Sequence, residues 1–265
     1  MIFIIWGEDK ACKNTLALTF PRPLVDLELD IGGFRRSCRN LPDLPIKDWY
    51  TAGEIKLEQY VMPFQMTAED IKAVRPTKLT LGMKELFYEF TGSFLKHLND
   101  PSIQTIMIDT GTLLYDITCQ GYLQELQEKQ LPLNAQGRDT WGKPLRTQLL
   151  PIEYREPYIR MRGFAYQAKA RGKHLVVTHH ASDEYGMVRI KGELTEGKTG
   201  KRVMHGWSQW GDSADVIGHI RWDKAKSKPY FDVELAEVKE LEGMSIEEPS
   251  FTKIDGIIKA IRGES

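Results

Sequence analysis

The chain is poor in cysteine and carries almost no net charge, and each shortage excludes a class of protein. Its three cysteines, Cys12, Cys38 and Cys119, are scattered and form no C-x-x-C pair. This spacing excludes a zinc ribbon and fits the reducing cytosol. The net charge is −1, so any contact with nucleic acid must use a local basic patch.

Long hydrophobic runs, internal repeats and low-complexity tracts are also missing. The N-terminal apolar run Ile2–Trp6 is far shorter than the roughly 20 residues of a membrane span or the apolar core of a signal peptide. We therefore expect a cytoplasmic protein with no membrane partner. A length of 265 residues, with 41% hydrophobic and 28% charged residues, suits one large α/β domain or two small ones.

A glycine-led loop connects the first apolar run to the helix-compatible segment Leu16–Phe20. Strand, loop, lysine and helix are the layout of a phosphate-binding P-loop, whose usual pattern is G-x-x-x-x-G-K-[ST]. Such a loop points backbone N–H groups at one spot beside a lysine, which suits phosphate. The candidate phosphate-binding residues are Gly7, Glu8, Asp9, Lys10, Ala11, Cys12, Lys13, Asn14 and Thr15.

The loop departs from the usual pattern at two positions. Gly7 and Lys13 have the expected spacing, but Cys12 replaces the second glycine and Asn14 replaces the Ser/Thr that normally ligates magnesium. We expect Cys12 to place a Cβ and a thiol where the phosphate approaches. The carbonyl oxygen of Asn14 remains a candidate metal ligand. The alternative is that the loop only connects the first strand and helix of an ordinary α/β domain.

Acidic residues and histidines follow three further predicted strands. Leu24–Asp30 ends in two acids, Ile103–Asp109 ends in one, and His174–Thr178 is followed by a histidine pair. Ligands bind outside the carboxyl ends of strands in an open parallel sheet. We therefore expect these strand ends to converge with the Gly7–Thr15 loop on one site.

The polar residues at these strand ends have separate expected roles. Asp109 follows a hydrophobic strand, as in a Walker B motif, and is a candidate magnesium ligand; the alternative is a helix N-cap. Glu28 and Asp30 alternate on a strand, so both should face one side and either could polarise the attacking water. His179 or His180 is a candidate sensor of the γ-phosphate, unless the pair only caps the strand or lies at the surface.

The rest of the chain alternates helices with strands. Residues 41–77 are expected to be irregular, and residues 181–213, rich in glycine and lysine, to form a long loop or loose hairpin. Further predicted elements are a short strand at Ile55–Val61, helices at Leu81–Leu98, Tyr122–Gln130, Glu153–Arg171 and Phe251–Ile261, and late strands at Val216–Trp222 and Tyr230–Val238.

In the order of its motifs the chain resembles the RecA-like AAA-type P-loop ATPases of bacteriophages, including the single-strand-annealing recombination group. The matching stretches are Ile2–Thr15, Pro23–Gly33, Thr105–Thr110, His174–Tyr185 and the late strands from Asp212 to Val238. The resemblance implies a three-layer α/β/α sandwich with a mainly parallel sheet and late antiparallel strands. It also implies an ATPase domain at 1–240 and a C-terminal tail with a short amphipathic helix at 241–265.

The resemblance further implies ATP and Mg²⁺ as cofactors, a homo-oligomer, single-stranded DNA as a partner and the host cytoplasm as the location. It makes His179 the sensor, and Lys198, Lys201 and Arg202 the cations that reach a neighbouring subunit's nucleotide. These three cations also lie near Trp207 and Trp210, a combination that suits single-stranded DNA. The alternative is a solvated loop with both tryptophans buried beneath it.

Three functions of different classes remain open at this point. In a phage ATPase acting on DNA, Lys13 would hold the β- and γ-phosphates, Asp109 the metal, and Asp30 or Glu28 the water. The departures at positions 12 and 14 would make hydrolysis slow. The second reading is a non-hydrolysing nucleotide- or DNA-binding scaffold with a relic loop. The third is a small-molecule kinase with the segment 189–202 as its lid.

Overall fold

A computed structural model describes residues 1–40, 44–66, 72, 79–134, 138–190 and 193–264. Parts of the irregular insert predicted over 41–77, and two residues of the basic segment 181–213, lie outside the described residues. Within these residues, no helix is both long and apolar enough to cross a membrane.

One mixed sheet forms the centre of the molecule. The described strands are β1 Ile2–Gly7, β2 Leu24–Glu28, β3 Ile55–Gln59, β4 Thr105–Asp109, β5 His174–Ile190, β6 Glu193–Met204, β7 Val216–Asp223, β8 Lys228–Ala236 and β9 Ser245–Glu247. Their order is β3-β2-β4-β5-β1-β7-β8-β9, with β6 paired to β5. In this order, the neighbours among β3, β2, β4, β5, β1 and β7 pair in parallel. The pairs β7–β8, β8–β9 and β5–β6 are antiparallel. This confirms the predicted sheet.

Seven described helices surround the sheet, with short 3₁₀ turns at Pro151–Tyr154, Gln209–Asp212 and Lys239–Leu241. The helices are α1 Lys13–Ala17, α2 Gly33–Asn40, α3 Ile46–Thr51, α4 Met83–Asn99, α5 Gly111–Glu128, α6 Arg155–Ala170 and α7 Phe251–Arg262. The described part of the chain is therefore an α/β structure in which helices alternate with the parallel strands, as the sequence predicts.

The alternating residues of β1 show how the layers form. Ile4 packs into a core with aromatic residues of α4 and α6, whereas Phe3 and Ile5 pack into a second core with α1 and α7. Both faces of this strand are fully buried, and each buried side chain of this size contributes about 2 kcal/mol. Helices cover both faces of the sheet, which confirms the three-layer sandwich.

Three elements differ from the sequence-based expectation. Helix α3, Ile46–Thr51, lies inside the segment 41–77 that was expected to be irregular. The helix predicted to begin at Tyr122 begins at Gly111, because the hydroxyl of Thr110 accepts a hydrogen bond from the backbone N–H of Leu113 at 3.2 Å and caps it. Strand β5, predicted to end at Thr178, continues to Ile190 and pairs with β6 in an antiparallel ladder, so the hairpin alternative for the segment 181–213 is confirmed.

Candidate functional site

A cavity of about 470 Å³ opens at the carboxyl ends of β1, β2 and β4, beside His180 in β5, which pairs with the last residue of β1. Every one of the four predicted strand ends contributes to it, as expected for a ligand site in a parallel sheet. Its lining residues are Asp9, Lys10, Ala11, Cys12, Lys13, Asn14, Asp30, Gly33, Arg36, Ser37, Asp109, Thr110 and His180.

The loop between β1 and α1 has a compact backbone that includes two strained positions. Lys10 and Cys12 have φ angles of 64° and 71°, in the left-handed region that costs a non-glycine residue about 1 kcal/mol. The Cys12 side chain is buried and packs with the core on the α1 side, where burial raises the pKa of its thiol. Cys12 packs with the core and also borders the cavity, so obstruction of the phosphate by its thiol stays a prediction.

Lys13 is the cation at the base of the loop. Its side chain is buried, and its Nζ donates to the backbone carbonyls of Gly7 at 2.9 Å and Glu8 at 2.8 Å. Burial lowers the pKa of Lys13, while the carboxylates of Asp9 and Asp109 oppose that shift. The amine is thus held against the loop by two neutral acceptors, which an anion in the cavity can replace.

Asp109 is a buried carboxyl at the end of β4. It accepts a hydrogen bond from the hydroxyl of Thr178 at 2.6 Å and another from the amide Nδ2 of Asn14. Burial raises the pKa of Asp109 to about 7, and these two hydrogen bonds oppose the rise. The helix that follows is capped by Thr110, so the alternative role of Asp109 as an N-cap is wrong.

Gly33 allows the Asp109–Asn14 pair to form. A Cβ at this position would lie under 3.0 Å from Asn14 Nδ2 and from Asp109 Oδ2. Backbone at the start of α2 therefore packs directly against the pair. The sequence indicated only a turn here, because the close approach depends on a residue far along the chain.

The two acids after β2 lie in different environments. Glu28 is fully buried, and its carboxylate accepts from the backbone N–H of Phe34 at 2.7 Å and from the amide of Gln59. Asp30 borders the cavity and accepts from Nη2 of Arg36 at 3.0 Å. Both carboxylates help to raise the pKa of Asp109, so both acids lie near it, but of the two only Asp30 lines the cavity.

The two histidines also separate. His179 is fully buried: its Nδ1 donates to the carbonyl of His205 at 2.9 Å, and its Nε2 accepts from the indole N–H of Trp210 at 2.8 Å. Burial lowers the pKa of His179 to about 4, so the ring is neutral and both nitrogens are used. His180 borders the cavity, with Nδ1 3.4 Å from Asp9. The structure therefore brings His180, and not His179, to the site.

The predicted DNA-binding cations lie on the hairpin. Arg202 forms an ion pair with Glu8 of the loop at 2.6 Å and another with Asp183 at 2.5 Å. Lys198 also pairs with Asp183 at 2.5 Å, and Lys201 is exposed. These contacts link the hairpin to the loop and neutralise much of its positive charge.

Trp207 and Trp210 are both buried and stack edge to face against each other. They form part of the core on the α4–α6 side of the sheet. Neither indole is available to stack on a base, so the alternative reading of two tryptophans buried beneath the basic segment is confirmed. The segment 189–202, expected as a lid in the kinase reading, belongs to the β5–β6 hairpin.

The cavity residues fit a magnesium ion that is bound together with phosphate. Among the described residues, no three His, Cys, Asp or Glu side chains are grouped closely enough to hold a metal by themselves. Magnesium at phosphate sites needs only one or two protein ligands. The buried carboxylate of Asp109 and the neighbouring side-chain amide of Asn14 match that requirement.

Several cavity residues were not predicted. Arg36 and Ser37 enter from α2, and Thr178 supports Asp109 from the adjacent strand. The basic run after the Gly-Gly pair was visible in the sequence and could have indicated Arg36. Thr178 carried no sequence signal, since its role depends on the register that places it beside Asp109.

Comparisons with known proteins found similarity in structure and no match among family models or curated proteins. Among solved structures, the crystal structure of the RadB recombinase is similar, with 12% sequence identity and a TM-score of 0.47 over 93% of this chain and 85% of that one.

Proposed function

We propose that the chain is a RecA-like P-loop protein that binds ATP with magnesium in this cavity and hydrolyses it slowly. The observation that supports this most is the joint position of Lys13 and Asp109. A buried amine at the base of a glycine-led loop and a buried carboxylate two strands away border one cavity. This is the pairing of cation and acid that phosphoryl-transfer sites use.

Binding would use the loop and its lysine. Backbone N–H groups of the segment Gly7–Thr15 would receive the phosphates, as in other loop nests for anions. Lys13 would exchange its two carbonyl partners for phosphate oxygens, a charge-assisted contact that is stronger than a neutral one. The positive φ at Cys12 supports this proposal, because its backbone keeps the geometry that glycine usually adopts in such loops.

Magnesium would be held by Asp109 and by the carbonyl oxygen of Asn14, after rotation of the Asn14 amide. When bound, the ion neutralises negative charge on the phosphate oxygens. An amide is a less usual ligand for this hard cation than the Ser/Thr hydroxyl that it replaces. In the described structure the Asn14 amide also donates to Asp109. Both features support slow hydrolysis.

Asp30 is the carboxylate that we assign to the water. The water oxygen would form a bond to the terminal phosphorus as the bond to the bridging oxygen breaks, and ADP would leave with that electron pair. The proton of the water would pass to Asp30. Glu28, which was the other candidate, has both carboxylate oxygens occupied in the core.

Phosphate release measured on wild type and Asp30→Asn tests this assignment. We expect Asp30→Asn to bind ATP at least as tightly as wild type and to lose turnover by on the order of a hundredfold, the usual contribution of a general base. Unchanged turnover would exclude Asp30. If the wild type binds ATP but releases no phosphate, the chain is the non-hydrolysing scaffold instead, a reading supported by the ion pair that holds Asp30 on Arg36.

We also propose that the β5–β6 hairpin contacts single-stranded DNA. Tyr185 and Met187 are exposed on this hairpin, and Tyr185 lies opposite Lys198, so an aromatic ring and a cation share one face. Bases stack on such rings without sequence preference. Fluorescence anisotropy with labelled oligonucleotides tests this: Tyr185→Ala should weaken binding about tenfold, and equal affinity would remove the hairpin from the DNA site. We further propose, from the resemblance of motifs, that the chain acts in phage recombination or replication.

A further inference from the structure

We infer that Arg36, supplied by the same chain, recognises the terminal phosphate of the nucleotide and thereby releases Asp30. This inference rests on the proposed nucleotide site and extends it to a residue that determines specificity. Arg36 borders the cavity from α2, a different element from the loop that carries Lys13. Two separate elements of the chain thus bring cations to the cavity, Lys13 from the Gly7–Thr15 segment and Arg36 from α2.

The position of Arg36 relative to Asp109 follows from the start of α2. Gly33 packs directly against the Asp109–Asn14 pair, since a Cβ there would overlap both side chains. Arg36 lies three residues further along the same helix, which is about one turn and places both residues on one face. Arg36 therefore enters the cavity at the proposed metal end, where the terminal phosphate would lie.

The present partner of Arg36 is one that phosphate can replace. The ion pair between Arg36 Nη2 and Asp30 is 3.0 Å long, and the Arg36 side chain is 49% exposed. Pairs this exposed contribute little to stability. A guanidinium has five N–H donors and binds phosphate in a bidentate manner. A phosphate group, with more negative charge than a carboxylate, should displace Asp30.

The exchange would have two consequences. A triphosphate would take the guanidinium and leave the Asp30 carboxylate able to accept a proton from water. A diphosphate lacks the terminal group, so the Arg36–Asp30 pair would remain. Arg36 would then favour ATP over ADP and connect recognition of the terminal phosphate to the activation of water.

The test is calorimetric titration of ATP and ADP, each with magnesium, into the full-length chain and three variants, with turnover measured in parallel. Arg36→Ala should lose affinity for ATP by on the order of tenfold or more, the contribution of a charged hydrogen bond, and keep its affinity for ADP. Arg36→Lys should recover part of the ATP affinity and little turnover, because lysine keeps the charge without the bidentate geometry.

Arg35→Ala is the matched control, since Arg35 is the exposed preceding residue on the same helix, and it should behave as wild type. If Arg36→Ala weakens ATP and ADP equally, or changes neither, the inference is overturned while Lys13-dependent ATP binding by the wild type still supports the proposed site. A wild type that binds neither nucleotide would overturn the site and this inference together. Urea unfolding of each variant identifies any loss of affinity that comes from misfolding. If Arg36→Ala does not fold, the ATP and ADP affinities of Arg36→Lys provide the test.

Discussion

Gly33 should be the glycine at which an added methyl group damages the site most. A Cβ at this position would lie under 3.0 Å from Asn14 Nδ2 and Asp109 Oδ2, so Gly33→Ala must separate these side chains or move α2. Overpacking of this kind costs about 1 to 3 kcal/mol, and a buried carboxylate that loses a donor costs about 1 to 3 kcal/mol more. The gain from alanine in a helix is at most about 1 kcal/mol.

We therefore expect Gly33→Ala to lower the free energy of unfolding by about 2 kcal/mol or more and to weaken binding of magnesium and ATP together. Urea unfolding and calorimetric titration measure the two effects. Because any destabilised variant loses some binding, the result needs controls that separate the site from general stability.

Two other glycines provide those controls. A Cβ at Gly218, in β7, would lie under 3.0 Å from Phe231 and from the carbonyl of Asp232, so Gly218→Ala should destabilise the chain and keep ATP affinity in the folded fraction. Gly92 has open space around its Cβ position, and Gly92→Ala in α4 should stabilise by about 0.5 to 1 kcal/mol. The reasoning is refuted if Gly33→Ala matches Gly92→Ala in stability, or if its folded form binds ATP as wild type does.

Three further changes have defined outcomes. Cys12→Gly combined with Asn14→Thr should raise turnover by on the order of a hundredfold, and Asp109→Ala in that background should abolish it. If the double substitution leaves the rate of phosphate release unchanged, Cys12 and Asn14 are not the cause of slow hydrolysis. The pKa of His179 is lowered to about 4 in the folded chain, so the folded state favours the neutral ring. This preference contributes up to about 3 kcal/mol of stability above about pH 6.5, and that contribution is lost as the pH falls through 4. His179→Gln should flatten that part of the urea-stability profile, and an unchanged slope would assign the loss to other groups. Lys201→Ala should reduce the salt dependence of single-stranded DNA binding, and an identical salt slope would exclude this contact.

Local spacing was enough to predict the parts of the site that depend on one segment of chain. The Gly7–Thr15 loop, the acid at Asp109 and the buried strands all have short-range signatures, and the structure joins them at one cavity. The sheet could be predicted because its parallel strands are apolar runs separated by helices. Lys13 required only its distance from Gly7 in the pattern.

Residues whose role depends on packing between distant segments could not be predicted. Glu28 and Asp30 have the same charge and nearly the same position in the sequence. The core contacts of Glu28 with Phe34 and Gln59 separate it from Asp30. His179 similarly owes its burial to Trp210, a residue beyond the hairpin. Tertiary partners of this kind leave no mark on local periodicity.

The central claim is that the cavity is a nucleotide site organised by Lys13. Titration of a fluorescent ATP analogue, with magnesium, into wild type, Lys13→Ala and Lys224→Ala tests it most directly, because Lys224 is an exposed lysine in the turn after β7. We predict that Lys13→Ala binds on the order of ten- to a hundredfold more weakly, the loss of a charge-assisted contact, while Lys224→Ala binds as wild type does. Equal affinity of all three proteins, with Lys13→Ala folded, would contradict the claim.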